Sequence, residues 1–155
     1  MELAQAWQMS AEVNRFLLNE LPDEALGDAY SSRTRSVAGQ FAHMHSVRVR
    51  WLTHVAKDLV SELSTFERGA KPSKDELLAE LDASEQAISE FLDRCEEQGK
   101  LKGWKGPPAS FLSYLVAHEA QHRGLAMVAM RLAGRKLPQH VVYGQWDWGK
   151  GRSLR

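Results

Sequence analysis

Cysteine is all but absent from this sequence. Cys95 stands alone among 155 residues, so no internal disulfide can form and no thiol pair is available for redox chemistry or a thiolate cluster. An excess of charge of one sign is missing as well: 20 Lys and Arg balance 20 Asp and Glu. A net charge of zero offers no overall basic field to draw the chain to nucleic acid or to an anionic membrane surface. No run approaches the roughly 18 consecutive apolar residues of a membrane span, and the N-terminus lacks the basic-then-apolar pattern of a secretory leader. Together these absences predict a cytoplasmic protein. Strand-like alternation is missing too, apart from a few positions near Val141–Tyr143, which leaves an all-α class. What remains is an ordinary globular composition, 43% hydrophobic and 26% charged, of a length that suits one domain over residues 1–155.

Helical periodicity recurs four times. Leu3, Trp7, Val13, Phe16, Leu17 and Leu21 predict a first helix from about Leu3 to Glu20, ended by Pro22 and followed by a polar connector, Asp23 to Thr34. Val37, Phe41, Met44, Val47, Trp51 and Val55 share one arc at about 100° per residue and predict a second helix from about Arg35 to Leu63. Arg68–Pro72 is a breaker, and Ser73 with Glu76 forms a capping box that starts a third helix ending near Gly99. Its acidic residues, Asp75, Glu80, Asp82, Glu85, Glu90, Asp93 and Glu96, read as a solvated face. After the Gly103–Pro108 loop a fourth helix is predicted from about Ala109 to Leu132, stopped by Gly134. The last twenty or so residues read as irregular, with Trp146 and Trp148 packing over the end of the bundle. Four amphipathic helices joined by loops predict a four-helix bundle with a short irregular C-terminal segment.

The chemistry concentrates in histidine. His118 and His122 lie four apart on the fourth helix, one above the other on a single face, close enough to share a metal ion. Phe111, Leu115, Leu125 and Ala129 fall near the same arc, which turns both histidines towards the core. Buried imidazoles need partners, and a metal ion is one way to supply them. A third ligand is available on the second helix, where His43 and His45 flank Met44. His43 shares its side with Gln40, Val47 and His54, and His45 shares its side with Phe41, Arg48 and Leu52. Periodicity does not choose between them. Three neutral nitrogens would leave a coordination position open for water or substrate; without a metal, the same histidines would be ordinary polar groups on helix flanks. Glu119 falls as readily on the solvent face as beside a ligand, and spacing assigns no catalytic role to it, to Gln40 or to His45. His118-Glu119-Ala120-Gln121-His122 also spells the zinc-protease pattern, but no later glutamate exists, and the extended form needs glycine and histidine where Leu125 and Val128 stand. No basic recognition helix points to a DNA-binding regulator.

Three segments resemble the DinB/YfiT-like family of metalloenzymes along nearly the whole chain. Gly39–Arg48 through Trp51-Leu52 is similar to the family's second-helix motif, with a histidine eight residues before an aromatic. His118–Gly124 resembles its fourth-helix histidine pair, and Gln145-Trp146-Asp147-Trp148 its closing segment. The resemblance implies an antiparallel bundle with an unusual helix order, often a homodimer, and a divalent metal ion such as zinc or nickel. By position it implies His43, His118 and His122 as ligands, with His45 the residue that a small shift in matching would exchange for His43. Some relatives look like transferases or isomerases that act with low-molecular-weight thiols such as bacillithiol, mycothiol or glutathione. The expectation is therefore a metal-dependent enzyme of that type, the alternative being a non-catalytic metal-binding bundle with a structural or sensing role.

Overall fold

The computed structural model describes residues 2–148. Four long helices, α1 (Glu2–Glu20), α2 (Val37–Val55), α3 (Lys74–Gln98) and α4 (Pro108–Leu132), precede a short α5 (Gln139–Gly144). No strand occurs among the described residues. The ends of α3 and the start of α4 follow from local chemistry. Ser73 and Glu76 close a reciprocal capping box at the start of α3, and Gly99, at φ 65°, takes the left-handed conformation that ends it. Pro108 begins α4, where a missing N–H costs nothing.

The helices α1 and α2 each pack on both α3 and α4, so α1 and α2 lie across one diagonal and α3 and α4 across the other. Side-chain pairs give the directions. Trp7 reaches Glu85 and Arg15 reaches Asp82, so α1 and α3 are antiparallel. Gln40 meets His122 and Arg48 meets Glu119, so α2 and α4 are antiparallel. The core contacts run α2 alongside α3 and α1 alongside α4 in the same sense.

This parallel pairing explains why α2 stops at Val55 rather than continuing to Leu63. To begin α3 at the same end as α2, the chain must return along the roughly 28 Å length of α2. Residues 56–73 form that strap, beginning with a 3-10 turn at Lys57–Val60. Leu59, Val60 and Leu63 pack at one end of the bundle and Phe66 at the other, so the apolar residues that extend the helical pattern serve the return path. His45, fully buried, pins the strap: its Nε2 donates to the Ser64 carbonyl at 2.6 Å, and its ring meets Phe66 edge-on at 5.7 Å.

The C-terminal segment also departs from expectation. Val141–Tyr143 belongs to α5, begun after Pro138, with Val141 and Gly144 buried one turn apart; two turns are too short for their period to stand out in the sequence. Trp146, 79% exposed, does not cover the bundle, and Trp148 donates to the nearby Gln145 carbonyl instead. Residues 149–155 of the segment expected to be irregular lie outside the described residues. Within the acidic face of α3, Asp82 and Glu85 pair with Arg15 along the α1–α3 seam.

Gly144 lets α5 approach α1 closely, because a Cβ there would lie 2.6 Å from Phe16 Cζ. Gly144→Ala is expected to destabilise the protein by about 1–3 kcal/mol through forced repacking of that ring. Urea denaturation measures this, and an unchanged midpoint would contradict the close approach.

The core has two apolar halves. One gathers Leu17, Leu18, Phe41, Met44, Leu77, Leu81 and Met130; the other gathers Trp7, Leu52, Ile88, Leu92, Phe111 and Leu115. Between them each of the four long helices contributes a polar group at the same height: Asn14 from α1, Arg48 from α2, Ser84 from α3, and Glu119 and Arg123 from α4, all buried.

Candidate metal centre

The polar layer organises its surroundings. Arg48 grips Glu119 with two donors, Nε to Oε1 at 2.7 Å and Nη2 to Oε2 at 3.0 Å, and spends Nη1 on the Leu81 carbonyl and Ser84. Asn14 donates to Glu119 Oε2 at 2.6 Å and accepts from Arg123 at 2.7 Å. The Arg48 guanidinium lies 4.7 Å from the centre of the Trp7 ring. Such bidentate, fully desolvated pairing needs every donor satisfied, and four helices combine to do so. Burial lowers the Arg123 pKa from its ordinary value; Glu119 opposes that shift and Arg48 adds to it.

At the same height, on the α2–α4 flank, His43, His118 and His122 converge. One ring nitrogen from each lies within 4.8 Å of the other two. His118 Nε2 and His122 Nε2 are 3.1 Å apart, and the His43 ring centre is 5.3 Å from that of His118 and 4.6 Å from that of His122. The outer contacts orient the rings. Gln40 is buried and its Nε2 donates to the Arg35 carbonyl at 3.5 Å, which turns its Oε1 towards His122. His122 Nδ1 must therefore be the donor in their 2.6 Å bond, leaving Nε2 unprotonated with its lone pair facing His118. Tyr114 stacks on His118, with ring centres 5.9 Å apart and planes 24° apart. His118 Nδ1 is buried without a hydrogen-bond partner among the described residues.

Electrostatics keeps these imidazoles neutral near pH 7. Burial, helped by the charges of Arg35, His118 and Arg50, pushes His43 down to about 4. Burial again, with His118, His43 and Arg35, pushes His122 down to about 4. His118 is lowered by burial against the opposing pull of Glu119, with Arg35 adding to the lowering. Neutral rings have lone pairs to give. Ideal tetrahedral bonds of about 2.05 Å would place ligand nitrogens about 3.3 Å apart, so this arrangement of three imidazoles fits a divalent cation after small ring adjustments.

The position of the core on α2 decides the place of each histidine. The buried face of α2 keeps Val37, Phe41 and Met44 from the stripe read by hydrophobicity but is turned towards His45, Arg48 and Leu52, while Trp51 and Val55 on the other edge are only half-buried. His45 therefore points into the core and onto the strap, while the side bearing Gln40, His43, Val47 and His54 forms the rim of the histidine cluster. Glu119 was the residue missed by sequence reasoning. Its signal is its spacing: Leu112, Leu115, Glu119, Arg123, Ala126 and Met130 recur at three- or four-residue steps and are all buried.

Comparison with known proteins agrees with this architecture. The profile of the DinB family matches residues 1–149. The Bacillus subtilis (strain 168) protein YrdA, itself uncharacterised, is 26% identical over 161 aligned positions, covering 94% of this chain and 90% of its own length. The crystal structure of a DinB-like protein from Bacillus cereus ATCC 10987 superposes with a TM-score of 0.67 at 24% identity, across 88% of this chain and 93% of that one, a likeness of fold.

Proposed function

The chain belongs to the DinB family, and from that premise we propose that it is a metal-dependent enzyme whose divalent ion, zinc or nickel, is held by His43, His118 and His122. The observation that carries this reading is the convergence of three neutral imidazoles within 4.8 Å, with the Nε2 lone pair of His122 fixed by Gln40. Exposure supports a catalytic site over a purely structural one. Structural ions are usually enclosed by four protein ligands, whereas His43 and His118 are only half-buried and stand beside a cavity of about 330 Å³.

A bound ion of this kind supplies positive charge that favours the deprotonated form of a thiol or water at neutral pH. The chain's own residues prepare for it. Gln40 sets the tautomer of His122, Tyr114 shields one face of His118, and the Arg35 and Arg50 charges favour an anion near His43. Cys95 is no candidate for the sulfur, because it is packed in the apolar half-core and burial raises its pKa. The resemblance to thiol-using relatives makes a low-molecular-weight thiol the proposed nucleophile, and the reaction a thiol-dependent transfer or isomerisation in the cytoplasm.

Tag-free protein is expected to hold about one divalent ion per chain by elemental mass spectrometry. His43→Ala and His122→Ala should lose it while the exposed His140→Gln keeps it. Full metal content in His122→Ala, with circular dichroism showing a folded chain, overturns the assignment.

A further inference from the structure

Beside the histidine cluster lies a cavity of about 330 Å³ lined by Val47, Arg50, Trp51, His54 and Tyr114. It is an open, shallow recess, and its volume is at the lower end for sites that take small organic ligands. It joins the cluster through two residues: Tyr114, whose ring stacks on His118, and Val47, one helical turn beyond His43 on α2. Its wall is aromatic. Trp51 is held edge-on by Trp104 at 5.2 Å and by Phe111 and Tyr114, each at 5.7 Å, so this ring cannot swing away and is presented as a fixed apolar surface. Its one permanent charge is Arg50, exposed and without an ion-pair partner among the described residues, although the protein pairs Arg15, Arg48, Arg94 and Arg135 with carboxylates. No carboxylate lines the cavity. A rigid aromatic wall beside a lone guanidinium is a complementary surface for a planar group bearing a negative charge.

We propose that this cavity binds the non-reacting end of the substrate, an aromatic or other planar apolar group against Trp51 and Tyr114 with a carboxylate on Arg50. The inference rests on the reading of the histidine cluster as a reaction centre, since it places the recognition end of the substrate next to that centre. Arg50 is a binding residue in this arrangement and takes no part in moving protons or electrons.

Benzoate and its neutral isostere benzamide are suitable probes, added to the full-length protein supplemented with zinc and followed by ¹⁵N–¹H NMR. Benzoate should shift the Trp51 indole resonance and the amides of Arg50 and His54, with benzamide at least tenfold weaker. Arg50→Gln, an exposed substitution that leaves the core intact, should weaken benzoate at least tenfold, whereas His122→Ala should retain it. Binding that survives Arg50→Gln but disappears in His122→Ala would put the carboxylate on the metal and overturn this proposal while leaving the metal centre in place. Absence of benzoate shifts in the parent protein would overturn it too. Conversely, an Arg50-dependent site in a protein that elemental analysis finds free of metal would uphold the anion pocket and sink the proposed metal chemistry.

Discussion

Glu119→Ala is expected to destabilise the protein by about 3–5 kcal/mol, measured as a fall in the urea midpoint at constant m-value. Arg48 and Glu119 are each only 1% exposed, so removing the carboxylate leaves a guanidinium in the centre of the bundle with no water to replace its partner. Asn14 loses its acceptor in the same step, and Arg123 loses the nearest negative charge. The loss should arise from the stranded charge and not from the missing volume. The double variant Arg48→Met/Glu119→Leu should therefore be more stable than Glu119→Ala, because it removes the stranded Arg48 charge and leaves only the losses at Asn14 and Arg123. A cost below about 1 kcal/mol for Glu119→Ala would mean that water reaches the polar layer.

Trp7→Ala is expected to cost a further large amount, about 3–5 kcal/mol, which for a chain of this size lowers Tm by roughly 6–20 °C. Trp7 has no exposed surface; it fills the apolar half-core beside Phe111 and Leu115, donates from Nε1 to the Glu85 carbonyl at 3.1 Å, and covers the Arg48 guanidinium. Trp7→Phe separates these contributions. It keeps most of the volume while removing the hydrogen bond, and should recover more than half of the loss; thermal unfolding by circular dichroism reads both. If Trp7→Phe proves as damaging as Trp7→Ala, the hydrogen bond and not the packing dominates.

The sequence made the helices legible wherever a local signal governs them. Pro22, the Ser73–Glu76 capping box, Gly99 and Gly134 all act within a turn of the boundary that they set. The end of α2 was illegible because Leu59, Val60 and Leu63 are apolar for a reason outside the helix, the return of the strap along the bundle. The histidine pair on α4 could be read from its spacing alone. The choice between His43 and His45 could not, since hydrophobicity placed the centre of the buried face at Met44, while that face is turned towards His45 and the charged Arg48. Glu119 and Arg48 hid each other: a buried charge looks like a surface residue until its partner, 71 positions away, is known.

Among the described residues only one pair of helices that follow each other in sequence, α2 and α3, packs extensively, and that pair is parallel. The bundle consequently contains no antiparallel helical hairpin, the local unit from which many helical proteins assemble rapidly. Its defining contacts, such as Asn14 with Glu119 and Arg48 with Glu119, join residues 105 and 71 positions apart. Long chain closures must precede them, which raises the contact order and slows folding relative to bundles of simple up-and-down connectivity. High helical content and fast folding usually go together; in this connectivity they are separated.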